Sequence, residues 1–471
     1  MDKTPLYLQI VHLIREKISR GEWAVGSKLP TQREMAKQFH VNRSTVITAI
    51  EILKSEGLIE GKTGSGIYIV NHPLSLLTAS SPPDWNELSK WALHPPSDRT
   101  VQLINEMENR KGIIQLSKGE LGVDLFPHAE IAKAAEKVSG LLHEFGYGDG
   151  LGDIHLRKEI SKNLLKHGIH ASPSSILIVS GALQALKLIS VGILNKGSTV
   201  FIERPSYVYS INLFRAAGMQ LKPIPIVKNG LDVENLFRQN IKNHRAALYV
   251  NPTFQNPTTT VMSMQKRQLL MKKSQYFQLP VIEDDIYRDL WIDEPAPPPL
   301  KTFDPQGQVL YIGSFSKTIA AGLRIGWLAG PESVIKRLSD LRMQLDYGSS
   351  YVSQMLVLEM LSSGLYDKHM ERTRTRLKQK RDFLLQLLNR HLADYATWSK
   401  PSGGFFIWVA FKGNIDTRKL FKECLNSGVL INPGFIYDDH HHTVRLSFAY
   451  PSFEEMEEGI LTMKALLADY G

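Results

Sequence analysis

Cysteine is nearly absent from this sequence, whose 471 residues include only Cys424. A single cysteine excludes a disulfide within the chain and any zinc site built from several cysteines of one chain. The first residues lack the basic-then-apolar pattern of a secretory signal, and no run of about eighteen apolar residues occurs. We therefore expect a cytoplasmic protein that works in a reducing compartment and does not span a membrane.

The sequence also lacks a strong excess of either charge, because its formal net charge of +9 is spread over 471 residues. An excess this dilute permits a polyanionic partner, but it could equally serve solubility alone. Internal repeats are absent, and low complexity is limited to short proline and histidine clusters. A hydrophobic content of 43% is ordinary for a folded protein. The length exceeds what one core needs, so we expect two or more domains.

The start of the chain contains three short amphipathic patterns. Thr31 and Glu34 have the spacing of a capping box, which predicts the beginning of a second helix. Asn42 can cap a third helix. The first helix is predicted over residues 5–20, with an inward stripe of Leu6, Ile10, Leu13, Ile14 and Ile18. The inward stripe of the third helix is predicted to be Val46, Ala49, Ile50 and Leu53.

Two short helices joined by a tight turn are typical of a helix-turn-helix, in which the start of the second helix enters the DNA major groove. The side chains at that start lie off the inward stripe, so their donors are free for phosphates and base edges: Arg43, Ser44, Thr45 and Thr48. The alternative is a three-helix packing module with solvated arginines. The first 70 residues carry ten Lys and Arg against seven Asp and Glu, so charge supports DNA binding only weakly.

A glycine-rich hairpin pattern follows over residues 58–70, with Lys62, Thr63 and Gly64 at its tip. Glycines permit close backbone approach and Lys62 supplies charge, which is typical of a wing that contacts DNA. Together these segments resemble the GntR family of winged helix-turn-helix regulators, an α+β fold. The resemblance implies that Arg33, Arg43, Thr45 and the wing tip contact DNA. The matching stretches are 26–30, 31–34, 41–46, 56–59 and 64–66.

Residues 71–112 lose this regularity and contain two proline pairs. Proline pairs stiffen and extend a chain, so this stretch is predicted to be a linker with short helical pieces around 85–91 and 101–107. The predicted division is a DNA-binding domain at 1–72, a linker at 73–112 and a body at 113–471. The body is expected to have a large lobe at about 128–330 and a small lobe formed by 113–127 and about 331–471.

The body alternates short apolar runs with helical patterns. Continuous apolar strands with helices between them predict an α/β fold with a mainly parallel sheet covered on both faces. Ligands bind such sheets beyond the carboxyl ends of the strands. The predicted strands are 176–179, 199–202, 246–250, 280–283 and 309–312. Near the end of the chain, 402–408 and 443–448 predict strands of a smaller α+β lobe, closed by a helix over about 452–469.

Lys317 follows the last strand of the large lobe, after Ser314 and Ser316 and before Arg324. A lysine amine forms a Schiff base with a carbonyl compound when burial or neighbouring cations keep it uncharged. Serine hydroxyls, backbone N–H groups and an arginine suit a phosphate. The stretch therefore favours a pyridoxal phosphate site. Taken alone, it is equally compatible with a surface loop of ordinary basic residues.

Other candidate contacts follow the remaining strands. A turn of small residues opens a helix whose free N–H groups can bind an anion, at Gly181, Ala182 and Leu183. Tyr207 could stack on an aromatic ligand or be an ordinary half-buried tyrosine. Polar residues follow the next two strands, at Asn256, Asp284 and Tyr287.

In order and spacing, these segments resemble class I aminotransferases of the pyridoxal-phosphate fold type I group, over residues 115–470. The resemblance implies that Lys317 forms the Schiff base and that Asp284 pairs with the pyridine nitrogen, with Tyr207 stacked on the ring. It implies that Asn256 and Tyr287 hydrogen-bond the ring oxygen. The phosphate would be held by Gly181, Ala182, Leu183, Ser314, Ser316 and Arg324.

Two further residues carry roles implied by this resemblance. Arg445 would grip the carboxylate of a substrate or effector through its planar fork, the alternative being a surface ion pair. Tyr147 resembles the tyrosine that reaches the phosphate of the neighbouring subunit, so the site would require a homodimer. Two positions depart from the family pattern: the turn 181–183 lacks hydroxyl side chains, and Thr259 stands where glycine is common.

The run His440, His441 and His442 invites a metal interpretation. Adjacent residues point in divergent directions on a strand or loop, so the run is a poor metal cage. We therefore expect no metal site.

A GntR-like head on an aminotransferase-like body is the arrangement of the MocR subfamily of bacterial regulators. We therefore predict a homodimeric, pyridoxal-phosphate-dependent transcription regulator that binds a double-stranded DNA operator and senses a small amino compound or the cofactor itself. One alternative is a working aminotransferase with an accessory DNA-binding domain, favoured by the complete set of site residues. Another is a regulator whose body only dimerises. If the protein is the predicted regulator, its transfer of amino groups is expected to be weak or limited to a half-reaction.

Overall fold

The structure is a computed structural model that describes residues 4–62, 64–70, 85–90, 96–140, 146–239, 241, 245–439 and 442–470. The chain divides into two compact units, Met1–Pro95 and Pro96–Gly471. The predicted boundaries at residues 72 and 112 stay predictions. Across the described ranges, no helix is long and apolar enough to cross a membrane.

Residues 4–62 and 64–70, as far as the structure describes the start of the first unit, form three helices and a hairpin in the order expected for a winged helix-turn-helix. The helices are α1 (Leu6–Ser19), α2 (Gln32–Gln38) and α3 (Arg43–Ser55), and the antiparallel hairpin is β1 (Ile59–Lys62) with β2 (Gly66–Ile69). A short helix, α4 (Trp85–Lys90), follows. The predicted capping box at the start of α2 is confirmed, because Thr31 and Glu34 exchange both hydrogen bonds. Asn42 occupies the cap position of α3, although its side chain makes no capping hydrogen bond there.

The core of this unit confirms the inward stripe of α3 and corrects that of α1. Val46, Ala49, Ile50 and Leu53 are all buried. On α1, however, Leu6 is 56% exposed and Leu13 is 39% exposed, whereas Val11 is buried. At 3.6 residues per turn, the buried stripe runs through Ile10, Val11 and Ile14, and the two leucines lie at its edge.

The second unit is built on an eight-stranded sheet with the spatial order β4-β11-β10-β9-β8-β5-β6-β7. Strands β5, β6, β8, β9 and β10 pair in parallel, which confirms the predicted mainly parallel sheet. The strands are β4 (Ile176–Val179), β5 (Thr199–Arg204), β6 (Gln220–Val227), β7 (Gly230–Leu231), β8 (Ala246–Val250), β9 (Val281–Asp284), β10 (Val309–Ser314) and β11 (Gly326–Ala329). The strands β6, β7 and β11 were not predicted.

Helices cover this sheet and lead into a smaller one. They are α5 (Arg99–Met107), α6 (His128–Ser139), α7 (Ile154–Lys166), α8 (Ala182–Gly192), α9 (Leu213–Ala216), α10 (Val233–Arg238), α11 (Met264–Tyr276), α12 (Glu332–Leu345), α13 (Tyr351–Ser362) and α14 (Leu365–His391). Residues of α5 were expected in the linker, but Ile104 and Met107 are buried in the core of this unit.

The smaller sheet has the order β12-β13-β16-β15. It consists of β12 (Ala396–Trp398), β13 (Phe406–Phe411), β15 (Asn432–Pro433) and β16 (Thr443–Ser447), with α15 (Thr417–Asn426) and α16 (Phe453–Leu467) beside it. Strand β14 (Val429–Leu430) pairs with β3 (Ile114–Gln115) instead. The strand predicted over 402–408 begins only at Phe406. Before it, Gly403 lies so close to Phe254 and Leu290 that a Cβ atom would clash with both.

Candidate functional site

A cavity of about 270 Å³ opens beyond the carboxyl ends of the parallel strands. Several loops that follow these strands meet there, as expected for an α/β sheet. The cavity brings together most of the predicted site residues: Ala182, Leu183, Tyr207, Asn256, Asp284, Tyr287, Ser314, Ser316, Lys317, Arg324 and Arg445. Gly181 lies beside them, because a Cβ atom at this position would stand 2.6 Å from Arg324 Nη2.

Lys317 is placed in the cavity by the turn that follows β10. Its Nζ atom donates a hydrogen bond of 2.6 Å to the backbone oxygen of Gly119. Burial, helped by the neighbouring charges of Arg445 and Arg324, lowers the pKa of the Lys317 amine to about 8, against the opposing charges of Glu120 and Glu108. A lysine in this environment is uncharged in a substantial fraction of molecules near neutral pH, which is what a nucleophilic amine requires.

Asp284 is the last residue of β9 and is buried beneath the cavity. Its Oδ2 atom accepts a hydrogen bond of 2.7 Å from the hydroxyl of Tyr249. Burial raises the pKa of this carboxyl to about 6, partly offset by Tyr249 and the Ile286 backbone N–H. Its Oδ1 atom has no side-chain or backbone partner of ordinary hydrogen-bond geometry in the described ranges. A buried carboxylate oxygen that accepts no ordinary hydrogen bond from the described residues is suited to a ligand that carries a hydrogen-bond donor or a positive charge.

Asn256, Tyr287 and Arg445 form a hydrogen-bonded cluster on another wall. Asn256 Nδ2 donates to the Tyr287 hydroxyl at 3.4 Å, and Asn256 Oδ1 accepts from Arg445 Nη1 at 2.8 Å. The backbone N–H of Asn256 donates to Asn251 Oδ1 at 2.8 Å, which fixes the loop after β8. Burial raises the pKa of Tyr287, so its hydroxyl stays protonated and can donate to a ligand oxygen.

Arg324, Ser314 and Ser316 form a second group of polar residues in the cavity. Arg324 Nη1 donates to Ser316 Oγ at 3.3 Å, and Nη2 donates to the backbone oxygen of Ser180 at 2.9 Å. Gly181 has a φ of 83° and begins α8, so its position favours glycine by conformation as well as by space. Hydroxyls, a guanidinium and the start of a helix make this part of the cavity suited to an anion.

Arg445 is 5% exposed, which rules out the surface ion pair considered from the sequence. Besides its bond to Asn256, Nη2 donates to the Ser117 backbone oxygen at 2.8 Å. The guanidinium carbon lies 3.8 Å from the centre of the Phe406 ring. Its Nε atom has no hydrogen-bond partner within the part of the chain that is described. The Arg445 side chain is therefore held in place by two hydrogen bonds, and its Nε–H group can still donate to a ligand.

Tyr207 and Tyr147 have different surroundings. Tyr207 is half-buried at the cavity wall, and its backbone N–H donates to the Asn256 oxygen at 3.0 Å. Burial raises the pKa of its hydroxyl. Tyr147 lies outside this cavity, is 84% exposed and has its ring 5.0 Å from that of Tyr347. Its predicted reach into a partner subunit stays a prediction.

Sequence reasoning missed several residues of the cavity. It also missed Tyr249, the hydrogen-bond donor to Asp284 behind the cavity lining, which could have been found because it lies near the end of a strand adjacent to β9. The residues of α5 carried no signal, because their segment was interpreted as a linker. The missed lining residues include Val101, Ile104, Asn105, Glu108, Glu120, Phe406, Asn432 and Ile436.

The predicted DNA-contacting residues lie on the surface of the first unit. Arg33, Arg43, Ser44, Thr48, Lys62 and Gly64 are exposed and Thr45 is half-buried. Arg43 donates from Nε and Nη2 to Gln32 Oε1 at 3.2 and 3.1 Å, which orients its guanidinium across α2 and α3. Lys62 Nζ lies 5.0 Å from the centre of the Tyr68 ring, and Gly64 has a φ of 73°. Thr63 is outside the described residues.

The histidine run contributes no recognisable metal cage to the described ranges. His442 has its Nδ1 atom 2.5 Å from the Ile415 backbone oxygen, which is an ordinary hydrogen bond. His440 and His441 are outside the described residues.

Comparison with protein families gives two matches along this chain. Residues 111–461 match the family described as aminotransferase class I and II. Residues 6–69 match the family described as bacterial regulatory proteins, gntR family.

Similar proteins cover both units. The HTH-type transcriptional regulator YdfD of Bacillus subtilis strain 168 is 48% identical over 470 residues, which cover 100% of this chain and 98% of that protein. The HTH-type transcriptional regulator NorG of Staphylococcus aureus strain N315 is 40% identical over 436 residues, covering 92% of this chain and 98% of NorG.

Solved structures match the second unit. Kynurenine aminotransferase of Pyrococcus horikoshii superposes with a TM-score of 0.75 at 28% identity, covering 82% of this chain and 97% of that chain. The α-aminoadipate aminotransferase LysN of Thermus thermophilus gives a TM-score of 0.73 at 28% identity, covering 82% of this chain and 99% of that chain.

Proposed function

Because this chain belongs to the aminotransferase class I and II family and carries a gntR-family domain ahead of that region, we propose that it is a DNA-binding transcription regulator that responds to an amino compound. The first unit binds an operator in double-stranded DNA. The second binds pyridoxal phosphate at Lys317 and then the amino compound. The observation that carries the proposal is one cavity that unites Lys317, Asp284 and Arg324 in a chain with a winged helix-turn-helix.

The residues present fit pyridoxal phosphate. The buried Oδ1 of Asp284, which has no hydrogen-bond partner among the described residues, suits a protonated ring nitrogen. The close approach of Gly181 to Arg324 leaves no room for a side chain, so a phosphate there can reach the backbone N–H groups at the start of α8. Asn256 and Tyr287 together can hold the ring oxygen. Pyridoxal phosphate, when bound, supplies an aldehyde for the lysine amine and an electron-withdrawing ring. The protein's part is to lower the pKa of Lys317, so that the uncharged amine is more often present, while the pKa of Asp284 stays below neutral pH.

Arg445 is proposed to bind a carboxylate of the amino compound. It lies across the cavity on β16, and its planar guanidinium is already positioned by Asn256 and Ser117. A ligand carboxylate would replace one of these neutral acceptors by a charged one, which is a stronger hydrogen bond. Binding would then change the contacts between the small sheet and the large one, and any such change that differs between two states of the protein shifts their populations.

The alternative, a working aminotransferase with an accessory DNA-binding domain, is favoured by the complete set of residues in the cavity. Against it, proteins that match both units over nearly their whole length are named HTH-type transcriptional regulators. The two functions separate in one assay, because an aminotransferase turns over many times with an amino acid and a keto acid. Multiple turnovers at ordinary enzyme rates would establish the alternative.

The test of the proposal is Lys317→Ala in the full chain. We expect the purified protein to show a cofactor absorbance band that amino compounds perturb, and the variant to lose both band and response. Binding of the variant to operator DNA in the absence of amino compounds should stay within about twofold of the parent protein, because Lys317 belongs to the second unit.

Retention of the band by Lys317→Ala would contradict the proposed cofactor link. Loss of the fold, measured by circular dichroism, would assign Lys317 a structural role instead. No cofactor binding by the parent protein would favour a body that only dimerises.

A further inference from the structure

Helix α5 turns one face towards the cavity. Val101, Ile104, Asn105 and Glu108 all line it, and their spacing of three, four and seven residues places them on one side of the helix. The face is apolar at its start and polar at its end. Leu183 and Ile436 add apolar surface to the same cavity. A ligand that fills this space therefore meets an aliphatic wall that ends in a carboxylate.

Glu108 lies on the Arg445 side of the cavity. Its Oε1 atom accepts a hydrogen bond of 3.3 Å from the Ser117 hydroxyl, and the backbone oxygen of the same Ser117 accepts from Arg445 and from Asn432. The anion-binding part of the cavity at Arg324 is built from other segments, which follow β4 and β10. Glu108 thus belongs to the part of the cavity assigned to the amino compound and not to the part assigned to the phosphate.

The position of Glu108 is energetically costly for the protein alone. It follows the last residue of α5, where the helix dipole disfavours a negative charge. Glu108 is half-buried, and burial raises the pKa of its carboxyl against the opposing charges of Arg445 and Lys118, neither of which forms a hydrogen bond with it among the described residues. The Ser117 hydroxyl is the partner recorded for it among the described residues, and that partner is neutral. A carboxylate kept at such a position is better explained by a ligand that it binds.

We propose that Glu108 recognises a second cationic group on the ligand, so that the compound sensed is a diamino monocarboxylate. This inference rests on the proposed function. The ligand carboxylate would lie on Arg445, one amine would lie near Lys317, the aliphatic chain would pack on Val101 and Ile104, and the far amine would donate to Glu108. Each charged group of such a ligand then meets an opposite charge, whereas the far carboxylate of a dicarboxylic amino acid would meet Glu108 as a like charge.

Amino acids that share one carbon skeleton but end in a cationic, neutral or anionic group test whether the cavity selects a second cation. The ligands are L-lysine, L-norleucine and L-2-aminoadipate, with L-ornithine, L-norvaline and L-glutamate as the shorter set. Each is titrated into the full-length protein loaded with pyridoxal phosphate, and the perturbation of cofactor absorbance gives an apparent Kd. We expect the cationic member to bind most tightly in at least one set, by roughly tenfold over the neutral member, as one charge-assisted hydrogen bond provides.

Variants of α5 separate recognition from structure. Glu108→Gln should weaken the cationic ligand by roughly tenfold and leave the neutral ligand within about twofold. The matched control is Glu106→Gln on the same helix, where the side chain is exposed and does not line the cavity. This control should change neither. Glu108→Asp keeps the charge and should retain most of the cationic preference, which guards against misfolding of the first variant.

Each other result overturns the inference. Equal or tighter binding of the neutral or dicarboxylic members would show that Glu108 does not select a cation. An equal loss for all ligands in Glu108→Gln would show that Glu108 only balances the charge of Arg445. In both cases the proposed function stands, because amino compounds still perturb the cofactor spectrum. Failure of every member of both sets to perturb that spectrum would count against the inference and the proposed function together.

Discussion

At the scale of single residues, burial decides what the charged groups of the cavity can do. The same apolar surroundings lower the pKa of Lys317 and raise that of Asp284, because each loses water around its charged form. In both cases the shift moves the group towards neutrality at physiological pH. Glu203 is buried next to the loop after β8 and does not line the cavity. Burial nevertheless raises the pKa of its carboxyl to about 8. A shifted pKa therefore supports a functional role only where the group also faces a ligand.

The pKa of Lys317 leads to a prediction on cofactor uptake by the protein freed of cofactor. Only the uncharged amine attacks an aldehyde, and this form increases as pH rises through a pKa of about 8. The rate of pyridoxal phosphate uptake, followed by absorbance, should therefore increase between about pH 7 and pH 9 and then level off. An increase that continued towards about pH 10.4, the value of an ordinary lysine, would contradict the burial assigned to this amine.

Arg43 carries a prediction on DNA binding. It is exposed at the start of α3, and its guanidinium is oriented by Gln32. If it contacts a base, Arg43→Ala should weaken operator binding by about 1–3 kcal/mol and relax the sequence preference at one position. Binding is measured by fluorescence anisotropy at fixed salt, since affinity for DNA depends strongly on salt.

The control for Arg43 is Arg20→Ala, which removes the same charge from the end of α1, where Arg20 pairs with Glu16. Equal losses in both variants would mean that Arg43 contributes only charge. An unchanged affinity in Arg43→Ala would remove it from the interface.

At the scale of elements, the start of α8 depends on Gly181, which has no side chain and so lets the backbone lie close to Arg324. The turn before this helix lacks the hydroxyls expected of many aminotransferases. In their place it has Gly181 against Arg324, with Ser314 and Ser316 following another strand. An anion at this site would therefore depend on backbone N–H groups, on the hydroxyls of Ser314 and Ser316 and on one guanidinium.

Gly181→Ala tests this arrangement. The added Cβ atom would stand 2.6 Å from Arg324 Nη2, at a backbone φ of 83° that alanine rarely adopts. Arg324 or the helix start must shift, and we expect the affinity for pyridoxal phosphate to decrease by roughly tenfold or more. The matched control is Gly322→Ala, because a Cβ atom at Gly322 has no heavy atom within 4 Å. Equal cofactor affinity in the two variants would exclude a role for the backbone at Gly181.

At the scale of the whole molecule, two compact units share one chain. Each matches its own family, and the relatives named as regulators span both. Helix α5 is the first element of the second unit to follow the described part of the first, and it lines the cavity. A ligand in the cavity thus contacts an element close in the sequence to the connection with the DNA-binding unit.

If the amino compound regulates DNA binding, the coupling must be reciprocal. The factor by which a saturating amino compound changes the operator Kd should equal the factor by which saturating operator DNA changes the Kd of that compound. Both are measurable on the same sample, by anisotropy and by cofactor absorbance. The Lys317→Ala variant should bind DNA without this response. A spectral response to the compound with no change in DNA affinity in either direction would exclude the regulatory role of the cavity.

Local patterns predicted much of the architecture. The capping box at Thr31, the buried stripe of α3, the wing hairpin and the apolar strands of the large sheet all depend on neighbours within a few residues. Many of the cavity residues were also predictable, because they lie at or just after the ends of strands. The predicted buried stripe of α1 wrongly included Leu6 and Leu13 and omitted Val11. All of these residues are apolar, so the sequence alone does not show which of them face the core.

What the sequence by itself determined is most of the helices and strands and the family of each unit, because turns, caps and periodicity act over short distances. Only the tertiary structure decided that α5 lines the cavity, that Arg445 is buried and that Asp284 keeps an oxygen unpaired. These properties arise where segments far apart in the chain exclude water from one another. Burial and charge environment are sums over such neighbours, and no single stretch of sequence contains them.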